Sequence, residues 1–165
     1  MCSRIIMFSA EITMYPWTKI DREMAVAYII NQGRLLVFRQ VLLPDAGIQV
    51  PVGLIEPYET PSQAGLRIAG KETGLEGLFL REYLGYAVVD LTRYGLKETH
   101  RRHFFHLELP GIAPTDWRRS KSDPSGGTTT SIELEYYWVN LPDEVPELNA
   151  ELDALVGGIN LSLKA

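Results

Sequence analysis

The sequence predicts an α/β domain, and three stretches carry that prediction. Residues 48–75, IQVPVGLIEPYETPSQAGLRIAGKETGL, read as a strand, a tight loop and a helix marked at both ends. Residues 24–38 read as a β-hairpin. Residues 132–139, IELEYYWV, alternate as a late strand does.

In the first stretch Val50 and Val52 place β-branched side chains on one face of an extended run, punctuated by Pro51 and Gly53. Thr60 is an N-cap, and Pro61 takes the first helical position, where a missing N–H costs nothing. Gln63, three residues after Thr60, completes a capping box, and Gly74 follows the last turn as a C-terminal stop. The spacing predicts a helix over 61–73.

Taken from the start, residues 5–8 form an apolar run too short for a signal-peptide core. One strand is expected within 5–19. Tyr15 and Trp17 there suit packing or a homodimer contact, with base stacking as the other use of such rings. Residues 24–30 are an apolar strand, Asn31-Gln32-Gly33 a turn and 34–38 the return strand. Arg39 follows it and is a candidate phosphate contact, though a solvated arginine is the ordinary reading.

After the helix, 78–83 and 85–91 read as one or two strands, 92–99 as a loop and 103–109 as another strand. His100, His103 and His106 fall at intervals of three, which matches neither a strand face nor a tetrahedral site. They read either as strand and loop-edge residues or as a metal cluster. Residues 113–131 carry Arg118, Arg119, Lys121 and a Gly-Gly pair, and are expected as a mobile loop that closes over phosphates or is simply solvated. Glu133 and Glu135 share a face of the late strand. Leu148, Leu152, Leu155 and Val156 have helical spacing, so a C-terminal helix is expected over 148–156.

The 165 residues suit one domain, 1–165, with 1–21 as an N-terminal extension. The formal charge of −5 leaves no basic footprint for nucleic acid. No run approaches the roughly 20 apolar residues that span a bilayer. Cys2 is the single cysteine, which excludes an intrachain disulfide and a cysteine zinc cage and fits a reducing, cytoplasmic setting.

Residues 53–75 resemble the Nudix box, whose pattern is Gly, five residues, Glu, seven residues, Arg-Glu, an aliphatic, any residue, Glu-Glu, any residue, Gly, aliphatic. Gly53, Glu59, Arg67, Glu72, Gly74 and Leu75 fit it. Two acidic positions do not: the glutamate after the arginine is Ile68, and the first of the paired glutamates is Lys71. The resemblance implies the Nudix fold, a mixed β-sheet sandwiched between α-helices. It also implies hydrolysis of the diphosphate linkage of a nucleoside diphosphate derivative, with Mg²⁺ or Mn²⁺ as cofactor and a small nucleotide-like molecule as substrate.

The residue roles implied by that resemblance are these. Glu72 is the surviving helix ligand for metal, joined by the Gly53 carbonyl and by Glu56 or Glu98, with Glu98 also a candidate base. Arg67 and Glu59 pair and hold the loop against the helix. Arg39, Lys71 and Tyr58 are candidates for substrate contact. Glu133 and Glu135 are further carboxylates, and Tyr86, Phe104 and Trp117 are aromatic candidates by type only. Residues four apart share a helix face, so Ile68 makes half of the acidic pair apolar, and Lys71 adds a charge that repels a metal ion. A second reading follows from these substitutions: a Nudix-fold module that recognises a nucleotide-like ligand without cleaving it, Lys71 standing in for metal charge.

Overall fold

The structure is a computed structural model that describes residues 4–7, 18–122 and 131–162. The expected hairpin is present as β2 (Arg22–Asn31) and β3 (Arg34–Gln40), closed by Gln32 and Gly33 at positive φ. With β1 (Arg4–Met7), β4 (Val52–Leu54), β5 (Phe79–Asp90), β6 (Thr99–Glu108), β7 (Asp116–Ser122) and β8 (Ser131–Asn140), these strands form one sheet. Its order is β1-β5-β6-β2-β3-β8-β7, with β4 paired to β2. β2 and β6 run parallel and the other pairs antiparallel, so the sheet is mixed.

Alternation along the strands splits the core in two. Ala25, Ala27, Ile29, Leu36, Phe38, Phe105, Leu107, Leu134 and Tyr136 face the helix α1 (Pro61–Thr73) through its Ala64, Ile68 and Ala69. Val26, Tyr28, Ile30, Leu35, Val37 and Phe104 face the other way, toward Leu148, Leu152 and Leu155. The capping box of α1 is complete: Gln63 N–H donates to Thr60 Oγ1 at 3.2 Å and Thr60 N–H donates to Gln63 Oε1 at 2.8 Å. Gly74, at φ 78°, ends the helix with its N–H on the Gly70 carbonyl. Gly65 lets α1 sit close to the sheet, for a Cβ there would stand 3.0 Å from the Phe105 ring.

Four expectations change in detail. The region 78–91 is one strand, β5, with register shifts between Leu80 and Glu82 and between Tyr83 and Gly85. β6 begins at Thr99 and takes in all three histidines. Within 113–131, residues Asp116–Ser122 form the edge strand β7, because Trp117, Arg119 and Lys121 alternate with Arg118 and Ser120 and pair against β8; residues 123–130 lie outside the described residues. The helix expected at 148–156 is instead two 3₁₀ turns, Asn149–Glu151 and Val156–Gly158. A nine-residue helix is short to stand on propensity. Here the Asn149 N–H is drawn to the Ile48 carbonyl, the Leu148 N–H to Asp153 Oδ2, and Ala150 and Glu151 adopt positive φ. The leucine spacing still seats Leu148, Leu152 and Leu155 in the core.

The expected N-terminal strand is β1, paired to β5. Cys2, Tyr15 and Trp17 lie outside the described residues. Among the described residues no helix is long and apolar enough to cross a membrane.

Candidate functional site

The loop from Gly53 to Thr60 is fastened to α1 by a single arginine. Arg67 donates through Nε and Nη2 to Glu59 at 3.0 and 2.5 Å, and Nη2 also reaches the Leu54 carbonyl at 2.8 Å. Glu59 accepts the Glu56 N–H at 2.7 Å, so one carboxylate closes the turn and anchors it to the helix. Glu56 stays largely exposed, 3.9 Å from Arg67 Nη1. The Arg67 guanidinium, then the Glu56 N–H, hold the Glu59 carboxyl below its usual range, and Arg67 is raised in return.

A group whose folded pKa is depressed stabilises above its unfolded value and loses that contribution as pH falls through the folded one. The unfolded reference for Glu59 is 4.5. Urea unfolding of wild type is therefore expected to weaken as pH drops below about 4.5. Glu59→Gln, already less stable at neutral pH, should show a smaller loss over that range. Equal pH dependence in the two proteins would contradict the clamp.

At the residue after Arg67, the apolar substitution is structural. Ile68 is 4% exposed, and its Cδ1 and Cγ1 would stand 3.0 Å from a Cβ at Gly53. The side chain thus fills the gap between helix and glycine bend. Glu72, on the next turn, meets Lys121 Nζ of β7 at 2.9 Å. β7 also brings Arg119, whose guanidinium occupies the space beside Gly74: a Cβ there would stand 2.2 Å from Nη1. Arg119 Nη2 reaches the Lys71 carbonyl at 3.4 Å, Trp117 Nε1 donates to the Thr73 carbonyl at 3.1 Å, and Tyr136 Oη donates to the Glu72 carbonyl at 2.7 Å. Burial, then the Glu72 charge, raise the Tyr136 pKa, so its phenol stays a donor. Cations at a helix C-terminus are favoured by the dipole.

Lys71, Glu72, Arg119, Ser120, Lys121, Ser122 and Leu134 line a pocket of about 210 Å³. It sets three cations against one carboxylate in an acidic protein. A larger cavity, about 640 Å³, lies on the other face of the sheet, but Glu147, Glu151 and Asp153 outnumber Arg93 there, which disfavours an anion.

The other candidates are dispersed. Glu98 pairs with His100 Nε2 at 2.8 Å and Arg22 at 3.6 Å, and the His100 hydrogen bond is the chief cause of its lowered pKa. It lies beyond the start of β6, which β2 and β3 separate from β8, so the structure does not bring it to Glu72. Arg39 pairs with Glu135 at 2.7 Å on the strand face away from α1, alongside Leu35 and Val37. Glu133 pairs with Arg118 at 3.5 Å on that same outer face. Tyr58 is fully exposed in the loop before α1, at φ 69°. Phe104 is core, Tyr86 packs on His103, and Trp117 stacks on Tyr136 at 5.1 Å. The three histidines each have their own carboxylate: His100 with Glu98, His103 with Glu23, His106 with Glu108. Sequence reasoning missed Lys121 and Arg119 as partners of the helix; the Trp117–Arg119–Lys121 alternation was the available signal.

A hard divalent cation requires several oxygen ligands in near-octahedral array. The residues present do not fit one. Ile68 is core, Lys71 is cationic, Glu72 is neutralised by Lys121, and among the described residues no group of three His, Cys, Asp or Glu is placed to hold a metal.

A glycine bend is thus clamped by Arg67 and Glu59 to a capped helix on one face of a mixed sheet, a loop–helix unit on an α/β fold. The chain belongs to the NUDIX domain family, whose model matches residues 21–154. That family acts on small nucleotide derivatives, and its hydrolases use divalent metals. Solved structures agree in fold. The MutT NUDIX hydrolase from Burkholderia pseudomallei is similar at a TM-score of 0.59 and 18% identity, over 84% of this chain and 98% of that one. A UDP-X diphosphatase is similar at 0.53 and 16%, over 86% of this chain and 62% of that one, so the chain spans less than two thirds of that relative. A bifunctional NMN adenylyltransferase/ADP ribose pyrophosphatase from Francisella tularensis, solved with AMP and a manganese ion, is similar at 0.53 and 14%, over 86% and 41%. No curated protein matches the sequence.

Proposed function

We propose that this NUDIX-family chain binds the diphosphate group of a small nucleotide-like molecule through its own cations, beside the last turn of α1, and does not turn it over with metal. One observation carries the reading: Lys121 lies 2.9 Å from Glu72, the helix carboxylate that the family's pattern reserves for metal. A divalent ion approaching Glu72 must displace that ammonium and then finds Lys71 and Arg119 beside it. For a diphosphate the same groups are favourable. Lys71, Arg119 and Lys121 supply positive charge, Ser120 and Ser122 line the pocket with hydroxyls, and guanidinium and ammonium donors suit phosphate oxygens. Tyr58, exposed before the helix, is available to a ligand's base.

A second reading is metal-dependent hydrolysis of a nucleoside diphosphate derivative, with Glu72, Glu56 or Glu98 and the Gly53 carbonyl on Mg²⁺ or Mn²⁺. It is favoured by the retained Gly53 bend and Glu59–Arg67 clamp. Thermal-shift and calorimetric titrations with inorganic pyrophosphate, UDP-linked sugars and ADP-ribose, run in EDTA and again with Mg²⁺, separate the two. The expected result is binding in EDTA that weakens with salt and drops about tenfold in Lys121→Ala and in Arg119→Ala. Mg²⁺-dependent release of phosphate-containing products would establish the hydrolase instead. Absence of binding by every probe would overturn the phosphate site.

A further inference from the structure

A hydrogen-bonded chain of three side chains lies on the α1 face of the sheet, near the helix end remote from the cation pocket. Tyr83 Oη is 2.9 Å from His103 Nδ1, and His103 Nε2 is 3.2 Å from Glu23 Oε2. Strands β5, β6 and β2 bring these residues together from positions 20 and 80 apart in sequence. The direction of the chain follows from its carboxylate end. Arg101 Nη1 pairs with Glu23 Oε1 at 3.1 Å, and a carboxylate in such an ion pair only accepts hydrogen bonds. His103 Nε2 therefore carries the imidazole hydrogen, Nδ1 offers its lone pair, and the Tyr83 hydroxyl donates to it.

A hydroxyl, a base within hydrogen-bond reach and a carboxylate orienting that base form the arrangement that activates weak oxygen nucleophiles. Its exposure suits the task. Tyr83 is 47% exposed, while the His103 side chain is only 16% exposed, so the oxygen is reachable and the base is shielded. The Tyr83 ring is seated on Phe105 at 5.2 Å, which fixes the oxygen's position. Burial pushes His103 below its ordinary 6.5, against the pull of Glu23, so its lone pair is free at neutral pH. Burial also raises Tyr83, so the phenol keeps its proton until a base removes it.

We propose that Tyr83 is a nucleophile toward activated carboxylic esters, with His103 as its general base and Glu23 as the positioning residue. In the step, a bond forms between Tyr83 Oη and the ester's acyl carbon. The bond from that carbon to the leaving oxygen breaks, and the leaving group departs with the electron pair. The phenol proton passes to His103 Nδ1, the imidazolium is held by Glu23, and the proton is then lost to solvent. The product is an O-acyl tyrosine and a free alkoxide or phenolate.

The test is incubation of the full chain with p-nitrophenyl acetate, following p-nitrophenolate and mapping the acetyl group by mass spectrometry. The expected result is a burst of about one equivalent, with the acetyl group on the Tyr83 peptide. Tyr83→Phe keeps the ring against Phe105 and is expected to remove the label, and His103→Gln to slow it about a hundredfold. In wild type the rate should fall as pH drops through the His103 pKa, below 6.5. Glu23→Gln should move that fall to lower pH, an effect that loss of packing alone would not give; thermal melts confirm that each variant is folded. Acetylation confined to lysines, or equal rates in wild type and His103→Gln, would overturn the proposal.

Discussion

Replacing Ile68 by glutamate is expected to cost about 3 kcal/mol or more of stability rather than to rebuild an acidic grip on α1. The side chain is 4% exposed, packs in the core beneath the helix and closes on Gly53. A carboxylate there loses its hydration. The adjacent Arg67 is already engaged by Glu59 and the Leu54 carbonyl. Urea denaturation of Ile68→Glu beside wild type, both in EDTA, measures the loss. An unchanged midpoint, together with newly acquired Mg²⁺ affinity, would show instead that a glutamate at 68 rebuilds the acidic grip and that the isoleucine is what bars the metal.

Phe105→Ala is expected to destabilise by about 3–5 kcal/mol. Phe105 is 2% exposed, lies under Gly65 of α1 and carries the Tyr83 ring. Its removal leaves a void beneath Gly65, where helix and sheet are in close contact, and neither rigid neighbour can move in to fill it. Chemical denaturation gives the magnitude. A loss below about 1 kcal/mol would mean that α1 settles onto the sheet without that ring.

The helix was legible because its instructions are local. Thr60, Pro61, Gln63 and Gly74 act within a few residues, and the structure bears out each of them. The hairpin was legible for the same reason. The C-terminal segment was not, since leucines four and three apart serve successive tight turns as well as a helix, and the choice was made by the Asn149 hydrogen bond to distant Ile48. β7 was read as loop because its charges mask its alternation, and its partner strand lies beyond 123–130. The site divides in the same way. The Glu59–Arg67 pair spans eight residues and follows from the motif, whereas Lys121 meets Glu72 across 49. No pattern in either segment announces the other.

The parallel pairing of β2 with β6 has a consequence for how the chain is made. β2 can zip to β3 almost at once, but its other edge waits for residues 99–108. A nascent chain emerging from the ribosome therefore holds an unsealed row of amides and carbonyls while some seventy further residues are added. Closing so long a loop is slow, and this is the interval in which the young polypeptide is most exposed to clumping with its neighbours and has most to gain from a chaperone.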